Sequence, residues 1–150
     1  MGIDLDAEKI HKVAKALDDA IEKCNIEELI SFFSKECEVQ LPAITLNGHE
    51  GLRKAIAWMY HYLKEIKLVP ITIIIQGNIF FEEFIMKARV QGDKEINVKQ
   101  AEVLIYDNDY KIRSLRLYFD RLELVRAFSS NVIDRLIINK INQKSLKGLQ

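Results

Sequence analysis

Between Asp4 and Lys23 the apolar residues Ile10, Val13, Ala14, Leu17 and Ile21 recur at spacings of three and four, which sets them on one stripe of an amphipathic helix. Asn25 followed by Glu28 has the spacing of a capping box and predicts a short second helix with Leu29, Ile30 and Phe33 turned inward. The segment CEVQLP, residues 37 to 42, alternates like a strand and stops at Pro42. After Asn47 and Gly48 the helical period returns, with Leu52, Ala55, Ile56, Met59 and Leu63 on one face, predicting a third helix to about Ile66.

Beyond that helix the period changes to two. Runs rich in β-branched and aromatic residues cover 67–76, 79–91, 95–106 and 111–120, separated by Gly77-Asn78, Gly92-Asp93 and Asp107-Asn108. Turns this short join antiparallel neighbours. The pattern therefore predicts an α+β domain, with helices gathered on one face of a curved sheet. The tail, 129–150, is helical in pattern, with Val132, Ile133, Leu136, Ile137 and Ile141 in a stripe that needs something to cover it and Arg135, Lys140, Lys144 and Lys147 opposite. It is expected to pack on its own domain or on a dimer mate, in preference to a membrane surface.

Composition narrows the classes. A chain of 150 residues, 49% hydrophobic, is one domain by default with enough apolar surface for a core. Its 22 basic and 22 acidic residues balance, so no global field favours nucleic acid. The opening MGIDLDAEKI lacks the basic-then-apolar pattern of a secretory signal, which makes the cytoplasm the expected compartment. LVPITIIIQGNIFF is interrupted by Pro70, Gln76, Gly77 and Asn78 and reads as strand, not as a span of the roughly 18 apolar residues a bilayer needs. Cys24 and Cys37 lack metal spacing and are expected to be reduced core residues, a disulfide between them being the other reading. His11, His49 and His61 are scattered without carboxylates at ligand spacing, so neither metal nor cofactor is expected.

The stretches NGHEGLRKAI, entering the third helix, and LRLYFDRLELV, ending the last strand, resemble the SnoaL-like branch of the nuclear-transport-factor-like superfamily. The resemblance covers about residues 8 to 128. It implies a cystatin-like cone: a curved antiparallel sheet wrapped over three N-terminal helices, here for residues 1–128, with residues 129–150 as an added helix. It also implies a pocket at the wide end and, often, a homodimer through the outer sheet face, where Arg116 and Tyr118 fall. Members include ketosteroid isomerases, limonene-type epoxide hydrolases, polyketide cyclases and binding proteins, so the fold leaves function open.

Family positions carried over one by one give a mixed result. The ketosteroid isomerase base falls at Leu41 and its tyrosine donor at Leu17, neither of which can act; its second donor, a carboxylic acid kept protonated, falls at Glu102. The epoxide hydrolase positions fall at Glu82, Phe84 and Leu117, which lack that constellation, and a cyclase acid falls nearest Asp120. Alternation puts Leu115, Leu117 and Phe119 on one face of the last strand and Arg116, Tyr118 and Asp120 on the other. By analogy the first set faces the pocket, as do Phe84, Met86, Ala88 and Val90, and then Glu102, Leu104 and Tyr106.

The expected pocket thus comprises Leu17, Leu41, Ala55, Ile56, Met59, Tyr62, Phe84, Met86, Leu104, Leu115, Leu117 and Phe119, with Glu102 as the candidate catalytic acid. Glu102 is either a desolvated acid with a raised pKa or a carboxylate at the pocket mouth, or paired with Lys99 or Lys87. Glu82 is expected on a solvated rim, and His61 is a further candidate for the wall. Trp58 and Tyr62, four apart, suit packing. Asp120-Arg121-Leu122-Glu123 has capping-box spacing, which favours a helix cap over a catalyst. These residues imply a small-molecule pocket for an apolar ligand. An isomerase, cyclase or dehydratase using Glu102 is the alternative, and a protein-interaction module a second.

Overall fold

The computed structural model describes residues 3–129 and 131–149. Five helices and six strands follow one another as α1 (Ala7–Glu22), α2 (Ile26–Ser31), β1 (Phe33–Leu41), β2 (Ile44–Asn47), α3 (Gly48–Tyr62), β3 (Lys64–Gln76), β4 (Ile79–Val90), β5 (Lys94–Tyr106), β6 (Ile112–Phe119), α4 (Arg121–Phe128) and α5 (Val132–Ser145). The sheet order is β2-β1-β6-β5-β4-β3. The four long strands form the expected antiparallel meander. β6 then comes to lie parallel to β1, which makes the sheet mixed. Parallel pairing requires a long connection, and α3 supplies it by carrying the chain from β2 at one edge to β3 at the other.

The sheet curves because its ladders are broken. Register shifts lie in β3 at Lys64/Lys67 and Pro70/Thr72, in the β1–β6 pairing at Phe33/Glu38, and in the β5–β6 pairing at Ile105/Tyr106. Each bulge bends its strand and increases the local twist. Pro70 is tolerated because β3 is an edge strand.

The departures from the sequence reading lie at element ends. The third helix stops at Tyr62 instead of about Ile66: Leu63 is extended, at φ −113 and ψ 131, and is buried just ahead of β3, while Ile66 is buried within β3. α2 ends at Ser31, so Phe33 is buried from β1 instead of from a helix, and β1 begins four residues before the expected Cys37. The short β2 was not expected. It pairs Leu41 with Ile44 across a turn in which Ala43 has φ 71. α4 follows the Asp120 cap and α5 lies within the expected tail, but the tail stripe of Val132, Ile133, Leu136, Ile137 and Ile141 stays exposed instead of packing on the domain, and Ile138, outside that stripe, is the buried residue of α5.

Two apolar clusters fill the interior. One joins α1 and α2 to Phe33, Val39, Phe80, Leu104 and Tyr106. The other joins Leu63 and Ile66 to Phe84, Met86, Val98 and Leu124. The glycines of the GHEGLR stretch hold α3 against the sheet edge. Gly48 has φ 67, with the Lys35 carbonyl 3.2 Å from where a Cβ would stand, and at Gly51 a Cβ would lie 3.0 Å from that of Leu46. A side chain at either place would push α3 outward.

Candidate functional site

Strand parity comes out as expected on the inner face. Phe80, Glu82, Phe84, Met86, Ala88 and Val90 of β4 are buried, and so are Ile96, Val98, Gln100, Glu102, Leu104 and Tyr106 of β5. On β6, Leu117 stands opposite Glu102, Leu115 opposite Leu104, and Phe119 opposite Gln100. This concave wall and the inner faces of α1 and α3 leave a cavity of about 150 Å³ between the two clusters. A cavity of that order lined by aliphatic and aromatic side chains can admit a benzene-sized molecule.

Ten of the twelve expected pocket residues line it: Leu17 from α1; Leu41 from β1; Ala55, Ile56 and Met59 from α3; Phe84 and Met86 from β4; and Leu115, Leu117 and Phe119 from β6. Two do not. Leu104 has the right parity but lies nearer the narrow end, fully buried among α1 and α2 side chains. Tyr62 is 42% exposed because the helix turns it outward, where its ring stands 5.4 Å from Trp58 and 5.2 Å from Phe128. Trp58 lines the cavity instead, together with Leu124 of α4, which closes that side. His61 is exposed beside Tyr62 and does not reach the wall.

Glu102 is buried within this wall, 8% exposed, and is neither at a solvated mouth nor in an ion pair. Lys99, a suggested partner, binds Glu83 at 2.9 Å on the other face. Glu82 overturns the expectation of a solvated rim: it is 2% exposed and sits directly opposite Glu102 across the β4–β5 ladder. Cross-strand Cβ atoms at such positions are about 5 Å apart. The sequence reading missed a third carboxyl, that of Asp18, half-buried on α1 and lining the same cavity. The helical stripe carried a signal for it, because Asp18 follows Ala14 by four residues and precedes Ile21 by three.

Among the described residues no cation is paired with any of the three carboxyls. Burial pushes the Glu102 pKa up to about 8, with the charges of Asp18 and Glu82 adding to the rise. Burial also raises Glu82 to about 7. Asp18 rises to about 7, from burial first and then from Glu82, Glu22 and Asp19, with Lys15 opposing weakly. The nearby lysines are engaged elsewhere, Lys15 with Asp19 at 3.2 Å and Lys67 with Glu22 at 2.9 Å. Two buried neutral groups are also poorly satisfied. The Tyr106 hydroxyl, on a fully buried side chain, finds no partner among the described residues, and its pKa rises through burial and the fields of Glu102, Asp18 and Glu82. The Gln100 amide, 7% exposed, donates to the Met86 sulfur at 3.6 Å. Such a polar cluster in an apolar wall is costly to the fold unless something uses it.

Asp120 is a helix cap: its Oδ1 accepts from the Leu122 amide at 2.8 Å at the start of α4. Cys24 and Cys37 are both free thiols, exposed and buried respectively. Among the described residues no group of three His, Cys, Asp or Glu side chains is placed to hold a metal ion, and no helix is long and apolar enough to cross a membrane.

No family model matches the sequence, and no curated protein matches it. Solved structures do match the fold. An NTF2-like protein of unknown function from Burkholderia pseudomallei superposes with a TM-score of 0.74 at 14% identity, over 81% of this chain and 98% of that one. A putative polyketide cyclase from Xanthomonas campestris gives 0.73 at 11% identity over 81% and 98% of the two chains. TerC, co-crystallized with polyporic acid, gives 0.73 at 16% identity over the same shares. The curved six-stranded sheet, the helices on its concave side and these superpositions together give this chain the NTF2-like cone fold, the fold of the SnoaL-like cyclases.

Proposed function

We propose that this protein binds a small, largely apolar molecule in the cavity between α1, α3 and the concave sheet. The observation that carries this reading is the cavity itself: about 150 Å³, walled by leucines, Phe84, Met59 and Met86, in a core that close packing would otherwise fill. The similarity in fold to TerC, co-crystallized with polyporic acid, fits a small-molecule role. Trp58 is the only tryptophan and lines the cavity, so its emission reports occupancy directly. Titration with benzyl alcohol should shift Trp58 fluorescence saturably, and Ala55→Phe, which fills the cavity, should abolish the response while leaving the circular dichroism unchanged. A non-saturable signal, or an Ala55→Phe protein that responds as before, refutes the pocket.

A catalytic reading is favoured by one observation, the burial of Glu102 in the cavity wall, which raises its pKa and leaves the carboxyl able to donate to a ligand carbonyl. An isomerase, cyclase or dehydratase would use that proton. With Leu17 and Leu41 in place of the tyrosine and the base, the second group of such an enzyme would come from Asp18 or Glu82.

We further propose a homodimer through the outer sheet face. Ile74, Phe81, Val103 and Arg116 form a row across four strands there, flanked by exposed Val69, Ile79 and Tyr118. Aromatic residues and arginine are enriched at interfaces. Light scattering should give twice the chain mass, and Ile74→Glu should return the monomer; a wild-type monomer at micromolar concentration refutes it.

A further inference from the structure

The cavity has two kinds of surface: beside the apolar wall stand Asp18, Glu102 and the neutral Gln100, and Glu82 lies next to Glu102 across the β4–β5 ladder. Asp18, Glu82 and Glu102 converge from α1, β4 and β5. None is in an ion pair or a hydrogen bond with another described residue, and the Tyr106 hydroxyl lies unpartnered within their field. An apolar neutral ligand would leave all four groups as they are. An anion would be repelled. A divalent metal needs ligands converging on one point, and the described carboxyls are not so placed.

The approach is mainly acidic. Asp18 also lines a second cleft, of about 350 Å³, between α1 and the β3–β4 edge, whose rim carries Asp19, Glu22 and Glu82. The basic side chains near it are Lys15, held by Asp19, Lys67, held by Glu22, and His11. Around Glu102 no other element adds charge: Leu117 faces it from β6, and Ile73 faces Glu82 from β3. A cleft lined by carboxylates concentrates cations.

Resting on the reading of the cavity as a ligand site, we propose that the ligand is an organic amine, its ammonium held among Asp18, Glu82 and Glu102 and its apolar body in the cavity. The ammonium supplies the positive charge the cluster lacks and, unlike a metal ion, need not touch all three carboxyls at once. Binding then draws a proton out of the cluster, because a carboxyl that is neutral in the free protein ionises when the cation arrives. Affinity for the amine rises with pH for that reason, until the cluster is already ionised.

The test compares benzylamine, protonated throughout the range used, with benzyl alcohol, its neutral counterpart of the same shape, by calorimetry and Trp58 fluorescence. Between about pH 6 and about pH 8 the benzylamine dissociation constant should fall about ten-fold or more, while that of benzyl alcohol stays within about two-fold. The double variant Glu82→Gln/Glu102→Gln should reduce benzylamine to the affinity of benzyl alcohol and leave the alcohol bound. Calorimetric runs in two buffers of different ionisation enthalpy should reveal proton release with the amine alone. If both molecules bind equally, or amine affinity is flat with pH, the amine reading fails and the apolar pocket stands. If neither binds, both readings fail.

Discussion

Replacing Glu102 by glutamine tests the physics of the cluster without any ligand. Glutamine has nearly the shape of a protonated glutamate and carries no proton to lose. In wild type the folded protein holds the Glu102 proton up to about pH 8, whereas the unfolded chain releases it near 4.5. The sign follows from proton uptake: between those values the folded state binds more protons than the unfolded one, so stability falls as pH rises, and it levels off above about 8. Over that window the unfavourable shift amounts to on the order of 5 kcal/mol if Glu102 titrates alone. Asp18 and Glu82 share the same field, so roughly 2–4 kcal/mol belongs to this one substitution. For a chain of this length each kcal/mol moves the melting temperature by about 2–4 °C. Thermal melts followed by circular dichroism should therefore show Glu102→Gln melting about 5–10 °C above wild type near pH 9, with the two converging to within about 2 °C near pH 5. Parallel curves from pH 5 to pH 9 would falsify the claim that burial holds Glu102 protonated.

Two further substitutions separate neighbouring roles. Tyr106→Phe removes a buried hydroxyl that has no partner and should stabilise the free protein by about 1 kcal/mol in urea denaturation at neutral pH; a loss of stability of that size would mean the hydroxyl is bonded. Asp120→Ala removes the acceptor for the Leu122 amide and should cost about 1 kcal/mol, with benzyl alcohol affinity unchanged within two-fold. A large loss of binding from Asp120→Ala, without a matching loss of stability, would place Asp120 at the site after all.

The sequence by itself determined whatever depends on residues close along the chain. The period of two through 79–106 fixed which side chains of β4 and β5 turn inward, Glu82 and Glu102 included. Side-chain spacing also placed the cap at Asp120 and the Trp58–Tyr62 ring contact. It failed at helix ends, where Ile66 and Phe33 are equally apolar in either state and tertiary packing chose the strand. Only the tertiary structure decided that Glu82 is enclosed, because its depth depends on α1 packing against β3 beside it and not on its own neighbours along the chain. Tertiary structure alone also brought Asp18 to it: a helix and two strands far apart in sequence meet on one concave surface, and the curvature that gathers them comes from bulges. Alternation can say that a carboxyl points inward, but what else it meets there is fixed by the packing of the elements, and that is why a single candidate acid became a cluster of three.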